Sequence, residues 1–235
     1  MKIGCVWEHN GNDTILYADN VIGAFTRGES LEIALDKMQR EVISYMKWCG
    51  VEIPNIITTE IIQEKVSGLQ ICNADTDIIF EKEMKPLTSN EYFALKKLAL
   101  KSAEDFFLLY SMVPDLKKSN LERRKTFYGN VPTTAQEMYE HTKDVNSYYF
   151  GEIGIAIDNN GSILDCRRRG FEIIENTDGY LNNNVFECSF NEQWSLRKVL
   201  RRFIWHDRIH AKAMYRMALN TFGENSIPNI FMFNL

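Results

Sequence analysis

The spacing of apolar residues along the first third of the chain predicts a small mixed unit. Two β-prone runs, residues 3–7 and 14–18, flank a turn rich in Asn, Gly and Asp, which is typical of a β-hairpin. Ser30 then offers an N-cap for a helix whose apolar residues recur every three or four positions, and Gly50 marks its end. Further short strands are predicted at 56–62, 68–72 and 77–80. Residues 1–86 are therefore predicted to form an α+β domain that ends at a polar linker.

Helical periodicity dominates the rest of the chain. Capping boxes that begin at Thr88 and Thr133 open two stretches with apolar residues at alternating spacings of three and four. A weaker helix is predicted from about residue 162, and Ser195 opens a last long one. Four helices, each with one apolar stripe, predict that residues 87–235 form an all-α four-helix bundle.

Histidines interrupt two of these apolar stripes. The chain has four histidines, and His206 and His210 lie four residues apart on the last helix, which places their rings on one face about 6 Å apart along the axis. Two imidazoles at that spacing can reach one metal ion. His141 occupies a core-facing position of an earlier helix and would complete a three-histidine site. Such a site leaves coordination positions open for water or substrate, as catalytic metal sites do.

A plainer interpretation exists for each of these residues. A single buried histidine is more often a neutral core residue with hydrogen-bond partners than a metal ligand, but three on converging stripes favour the metal. No carboxylate is an obvious fourth ligand, because Glu137 and Glu140 lie on other faces of their helix and Asp207 is rotated about 100° from His206. His9, beside a turn, is predicted to be a surface residue.

Composition narrows the functional classes. The net charge is −5, and the basic clusters at 123–125 and 167–169 are expected to be solvated helix faces, so we expect no nucleic-acid partner. Five scattered cysteines without a CxxC pair predict reduced thiols and no disulfide. No run of about 18 apolar residues occurs, so we expect no membrane span and a cytoplasmic protein.

The helical part carries a resemblance to a known family. The segment Trp194 to His210, with its paired His-x-x-x-His, resembles the last helix of the DinB-like superfamily, and Ala135 to Tyr149, which contains His141, resembles that family's second helix. The likeness covers about residues 88–233. It implies a four-helix bundle that binds a divalent metal, zinc or nickel first, and a homodimer. Some members are thiol-dependent transferases, and others have no known activity. We therefore expect a metal-dependent enzyme, a thiol S-transferase or a hydrolase, that acts on a small-molecule thiol or electrophile.

The small domain carries a second, shorter resemblance. Residues 23–35, Gly-Ala-Phe-Thr-Arg-Gly-Glu-Ser-Leu-Glu-Ile-Ala-Leu, follow the hairpin and precede the helix as in HicB-like antitoxin domains. Such domains bind a protein partner, which implies a second hypothesis: a non-catalytic regulatory or partner-binding protein with a metal-stabilised bundle. A capping domain without a partner is equally compatible with the motif. A third hypothesis is a bundle whose histidines only form hydrogen bonds within the core.

Side chains near the histidines have two interpretations as well. Arg201, Arg202 and Arg208 could steer an anionic thiol, but solvated surface arginines are the favoured interpretation. The same holds for three aromatic residues that could line a pocket, for which core packing is favoured: Tyr148, Tyr149 and Trp205.

Overall fold

The N-terminal region is built on a four-stranded mixed sheet. The computed structural model describes residues 1–11, 13–73, 75–126 and 129–234. The strands are β1 (Lys2–Asn10), β2 (Asp13–Ala18), β3 (Phe25–Gly28) and β4 (Thr58–Val66), in the order β3-β2-β1-β4. β1 and β2 form the predicted hairpin, whereas β4 runs parallel to β1. β3 was not predicted, and no strand forms at 68–72 or 77–80, where the chain has only a short 3-10 turn at Ile71–Asn73.

Helix α1 (Leu31–Cys49) packs on this sheet and begins and ends as predicted. The Ser30 hydroxyl accepts a hydrogen bond from the Ile33 amide, which satisfies one of the free N–H groups of the first turn. Gly50 ends the helix in the left-handed region, with φ of 65°, where a residue without a Cβ is favoured. The buried face of α1 includes Ala34, Met38 and Val42. This helix connects β3 to β4 and gives the sheet one covered face.

Four further helices follow, as predicted. They are α2 (Ser89–Ser111), α3 (Ala135–Gly151), α4 (Ile163–Glu175) and α5 (Leu196–Phe222). Reciprocal capping boxes open α2, α3 and α4, through Thr88 and Glu91, Thr134 and Glu137, and Ser162 and Asp165. Ser195 caps α5 through the Lys198 amide. Since each box satisfies two backbone groups, the start of each helix is fixed by local sequence.

The predicted all-α four-helix bundle over residues 87–235 is wrong. Strands are interspersed with the helices: β5 (Lys125–Thr126) pairs with β6 (Gly129–Asn130), and β7 (Phe186–Glu187) pairs with β8 (Gln193–Trp194). Each of these strands has two residues, which is too short for an alternating apolar pattern to reveal it. The chain therefore has an N-terminal mixed sheet followed by helices and small antiparallel ladders.

Buried side chains of the N-terminal region and of the helices form one continuous hydrophobic cluster. It contains Ile3 and Leu16 from the sheet, Phe106 from α2 and Phe203 from α5. Helix α5 is the longest helix and contacts both α2 and α3. The predicted boundary at residue 86 stays a prediction. Within the described ranges, no helix combines the length and the apolar character that a bilayer crossing requires.

Candidate metal centre

The three predicted histidines lie together. His141 projects from α3, and His206 and His210 project from α5, which packs against it. The ring centroids are 5.1 Å apart for His141 and His206, 4.7 Å for His141 and His210, and 4.4 Å for His206 and His210. One ring nitrogen from each residue can be chosen so that all three lie within 4.8 Å of one another, so this group could hold a metal ion.

Local sequence fixes the positions of the rings. His141 comes seven residues after the Thr134 cap, about two helical turns into α3, so the start of the helix sets the direction of its side chain. On α5, His206 and His210 are one turn apart and face the same neighbour. The site therefore depends on two helix segments and on the packing between them.

Exposure increases across the group. His206 is 7% exposed, His210 is half-buried and His141 is exposed. One side of the group is thus sealed by α5 and the core, while the other side, at His141, is open to solvent. The exposed His141 side is where a small molecule could approach the three rings.

Burial keeps the imidazoles neutral. It lowers the pKa of His206 well below the ordinary value, and the neighbouring His210 and His141 lower it further. Burial lowers the pKa of His210 to about 3, with His141 as a second cause. The pKa of His141 is also lowered by the partial burial of its ring, and the Asp144 carboxylate offsets part of this effect. At neutral pH all three rings are in the unprotonated form that binds metals.

One ring nitrogen of the site has no hydrogen-bond partner among the described residues. Nδ1 of His206 is buried and makes no hydrogen bond with any of the described residues. Buried side-chain polar atoms normally have a partner, since leaving one unpaired costs about 1–3 kcal/mol. A metal ion, or a ligand bound at this point, would satisfy the group. The donor set therefore fits a transition metal that prefers imidazole nitrogen.

The three carboxylates that the sequence set aside as ligands are engaged elsewhere. Asp207 is buried and accepts hydrogen bonds from Arg167, at 2.6 and 3.1 Å, and from the Ser102 hydroxyl. Glu137 caps the start of α3, and Glu140 pairs with Lys143 at 2.7 Å. Over residues 1–11, 13–73, 75–126 and 129–234, the three histidines are the only candidate metal-binding group.

Aromatic rings and one arginine close the inner side of the site. The Tyr149 ring lies 6.0 Å from the His206 ring, and the Arg202 guanidinium lies 4.7 Å from the Trp205 ring. Tyr149 and Trp205 are buried, in agreement with core packing, whereas Tyr148 is 37% exposed. Arg202 also donates to the Thr76 carbonyl, which links α5 to the N-terminal region.

Several basic side chains were assigned wrongly from sequence. Arg201 and Arg208 are buried and pair with Glu83 and Glu41, and Arg167 is fully buried against Asp207. Arg201 and Arg208 are seven residues apart and so lie on one helix face, a spacing that could have indicated a shared buried role.

His9 and the five cysteines, which also entered the sequence-based predictions, lie outside the metal centre. His9 lies apart from the metal centre, partly buried between the Trp7 ring, 4.0 Å away, and Glu64. All five cysteines are free.

Comparisons with models of known protein families, with curated proteins and with solved structures gave no match.

Proposed function

We propose that His141, His206 and His210 hold a divalent metal ion, zinc or nickel first, and that the protein is a metal-dependent enzyme. The proposal rests on the convergence of three neutral imidazoles, one of which has a buried nitrogen without a hydrogen-bond partner in the described part of the chain. Two of the rings are one turn apart on α5, and the third comes from α3, so two short helix segments supply the whole ligand set.

The reaction that we propose is the transfer of a small-molecule thiol to an electrophile, as the DinB-like sequence resemblance implies. When bound, a divalent ion lowers the pKa of a coordinated thiol or water and so supplies a nucleophile at neutral pH. The ligand set contains no carboxylate that would offset the charge of the ion. Such a site favours an anion, and a thiolate is the anion that zinc and nickel prefer.

The arrangement of the chain supports this assignment in two ways. His206 and the rings of Tyr149 and Trp205 exclude water from the inner side of the site. The exposed His141 leaves the outer side open, so that a thiol and an electrophile could reach the bound ion from solvent. Both reactants would therefore enter from the same side.

The alternative that we keep is a non-catalytic, partner-binding protein with a metal-stabilised scaffold. It is favoured by strand β4, which lies at an edge of the sheet and carries the exposed side chains Ile62 and Val66. Edge strands are common docking sites for a further strand. In this case the metal would raise stability and the protein would show no thiol transfer.

Elemental analysis tests the metal proposal directly. Protein produced without a histidine tag should contain about one equivalent of a first-row divalent metal, as a single three-histidine site requires. His206→Ala should lose the ion, because two imidazoles remain, whereas the matched control His9→Ala should keep it. A wild-type protein that neither carries a metal nor takes up added zinc or nickel would refute the proposal.

A thiol-transfer assay tests the enzymatic part. The metal-loaded protein is mixed with a low-molecular-weight thiol and an electrophilic dye, and the loss of free thiol is measured. We expect a rate that depends on His206 and on the metal. If the protein binds the ion but neither the wild type nor His206→Ala changes the rate, the partner-binding alternative is preferred.

A further inference from the structure

The outer face of helix α2 carries three large apolar side chains that stay partly exposed in the described chain. Phe93 is 54% exposed, Phe107 is 44% exposed and Leu108 is 45% exposed. They lie on the side of α2 opposite to its buried residues, and from Phe93 to Leu108 the face is about 22 Å long. An apolar strip of this length on one helix is typical of an interaction surface.

Two charged residues on the same face have no ion-pair partner among the described residues. Lys97 and Glu104 are both exposed, and neither takes part in the salt bridges of α2. Neighbouring charges are paired: Lys96 with Glu175 at 2.5 Å and Lys101 with Asp105 at 2.7 Å. Lys97 and Glu104 are seven residues, or about 10 Å, apart along the axis, so they are too far apart to pair within one helix.

The order of these residues is self-complementary. If a second copy of α2 is placed antiparallel, with a two-fold axis between residues 100 and 101, Lys97 of each copy lies opposite Glu104 of the other. In the same register, Phe93 lies opposite Phe107 and Leu108 of the other copy, and Leu100 lies beside its own counterpart next to the axis. A two-fold interface requires that one surface complement itself in this way.

We propose that the outer face of α2, formed by Phe93, Lys97, Leu100, Glu104, Phe107 and Leu108, joins two copies of this chain in an antiparallel helix pair. The two symmetric Lys97 to Glu104 pairs set the register, and the apolar residues on either side supply the buried area. The proposal does not depend on the metal centre, because these residues are not part of that site.

Reversing the charge of Lys97 or Glu104 in the whole chain tests the proposal. The mass in solution is measured by sedimentation velocity over a range of concentrations for the wild type, Lys97→Glu, Glu104→Lys and the double variant. We expect a dimer for the wild type. Each single variant places like charges opposite each other twice and should raise the dimer dissociation constant at least about tenfold. The double variant exchanges the charges and should restore the dimer.

A mixing experiment tests the proposed register of the two helices. Lys97→Glu presents two acidic groups and Glu104→Lys presents two basic groups, so an equimolar mixture should form a heterodimer although each variant alone is largely monomeric. Lys117→Glu, an exposed lysine outside α2, is the matched control and should dimerise as the wild type does. Circular dichroism checks that every variant is folded.

Two outcomes would overturn the proposal. A wild-type protein that stays monomeric at the highest concentration measured has no such interface. A dimer that is unaffected by both single reversals uses another surface. The two charge positions are exposed, so a loss of dimer in folded protein cannot be attributed to unfolding.

Discussion

Helix α5 presents two buried polar faces, and they differ in how their groups are matched. On the face toward the N-terminal region, Arg201 pairs with Glu83 and Arg208 pairs with Glu41 at 2.7 Å. On the face toward α3, His206 and His210 lie beside His141, and His206 also lies beside the Tyr149 ring. The arginine face thus has a carboxylate for each of its two arginines, although some guanidinium nitrogens lack an acceptor among the described residues. On the histidine face, no described carboxylate forms an ion pair with His206 or His210.

This difference separates a structural role from a binding role. A buried charge that pairs with an opposite charge needs no external ligand, and removing one partner leaves the other charge unpaired. A buried ring nitrogen without a hydrogen-bond partner is unsatisfied within the protein, and a bound ligand can satisfy it. Both faces carry buried polar groups that helical spacing brings to one side of α5. The identity of the partner, and not burial itself, therefore identifies the candidate site.

The largest expected effect is the loss of stability when an arginine is removed from the arginine face. Arg201→Met leaves the Glu83 carboxylate buried without its cation, so the free energy of unfolding should fall by about 3–5 kcal/mol. Urea denaturation measures this loss, and the exposed Arg168→Met is the control, with an expected change within about 0.5 kcal/mol. The metal content of the protein that remains folded should not change. Equal stability of the two variants would contradict a structural role for this face.

The next largest effect is the gain in stability when a metal ion binds at the histidine face. A divalent ion that binds only the folded protein should raise the free energy of unfolding by about 2.7 kcal/mol at a concentration one hundred times its dissociation constant. Zinc or nickel should stabilise the wild type, and His206→Ala should not respond. Magnesium is the ion control, since it prefers oxygen ligands and finds none in this group. Stabilisation of both proteins by zinc would place the ion elsewhere.

The sequence alone was sufficient where the signal is local. The hairpin and the five helices follow from residues close together in the chain, and helical spacing placed His206 and His210 on one face. The capping box of α3 was predicted one residue too early, at Thr133, whereas Thr134 and Glu137 form it. The partners of the arginines could not be predicted, because Glu83 and Glu41 are 118 and 167 residues away from Arg201 and Arg208. The ladders of β5 to β8 were missed because two-residue strands carry no pattern. Long-range pairing and very short strands are therefore what the structure adds.

The smallest expected effect concerns pH and again separates the two faces, since arginines do not titrate near neutrality. The pKa of His210 is about 3 in the folded protein, chiefly because of burial, and is about 6.5 in an unfolded chain. Below pH 6.5 the unfolded chain binds a proton that the folded protein excludes, so stability falls as the pH falls and is unaffected above that range. From pH 7 to pH 5.5 this group should cost the metal-free protein about 1 kcal/mol of stability. Urea denaturation with a chelator at both pH values measures the change, and His210→Gln should lose less stability over the same interval. An equal loss in the two proteins would mean that His210 is accessible to protons in the folded state, and the contrast between the faces would then not extend to this ring.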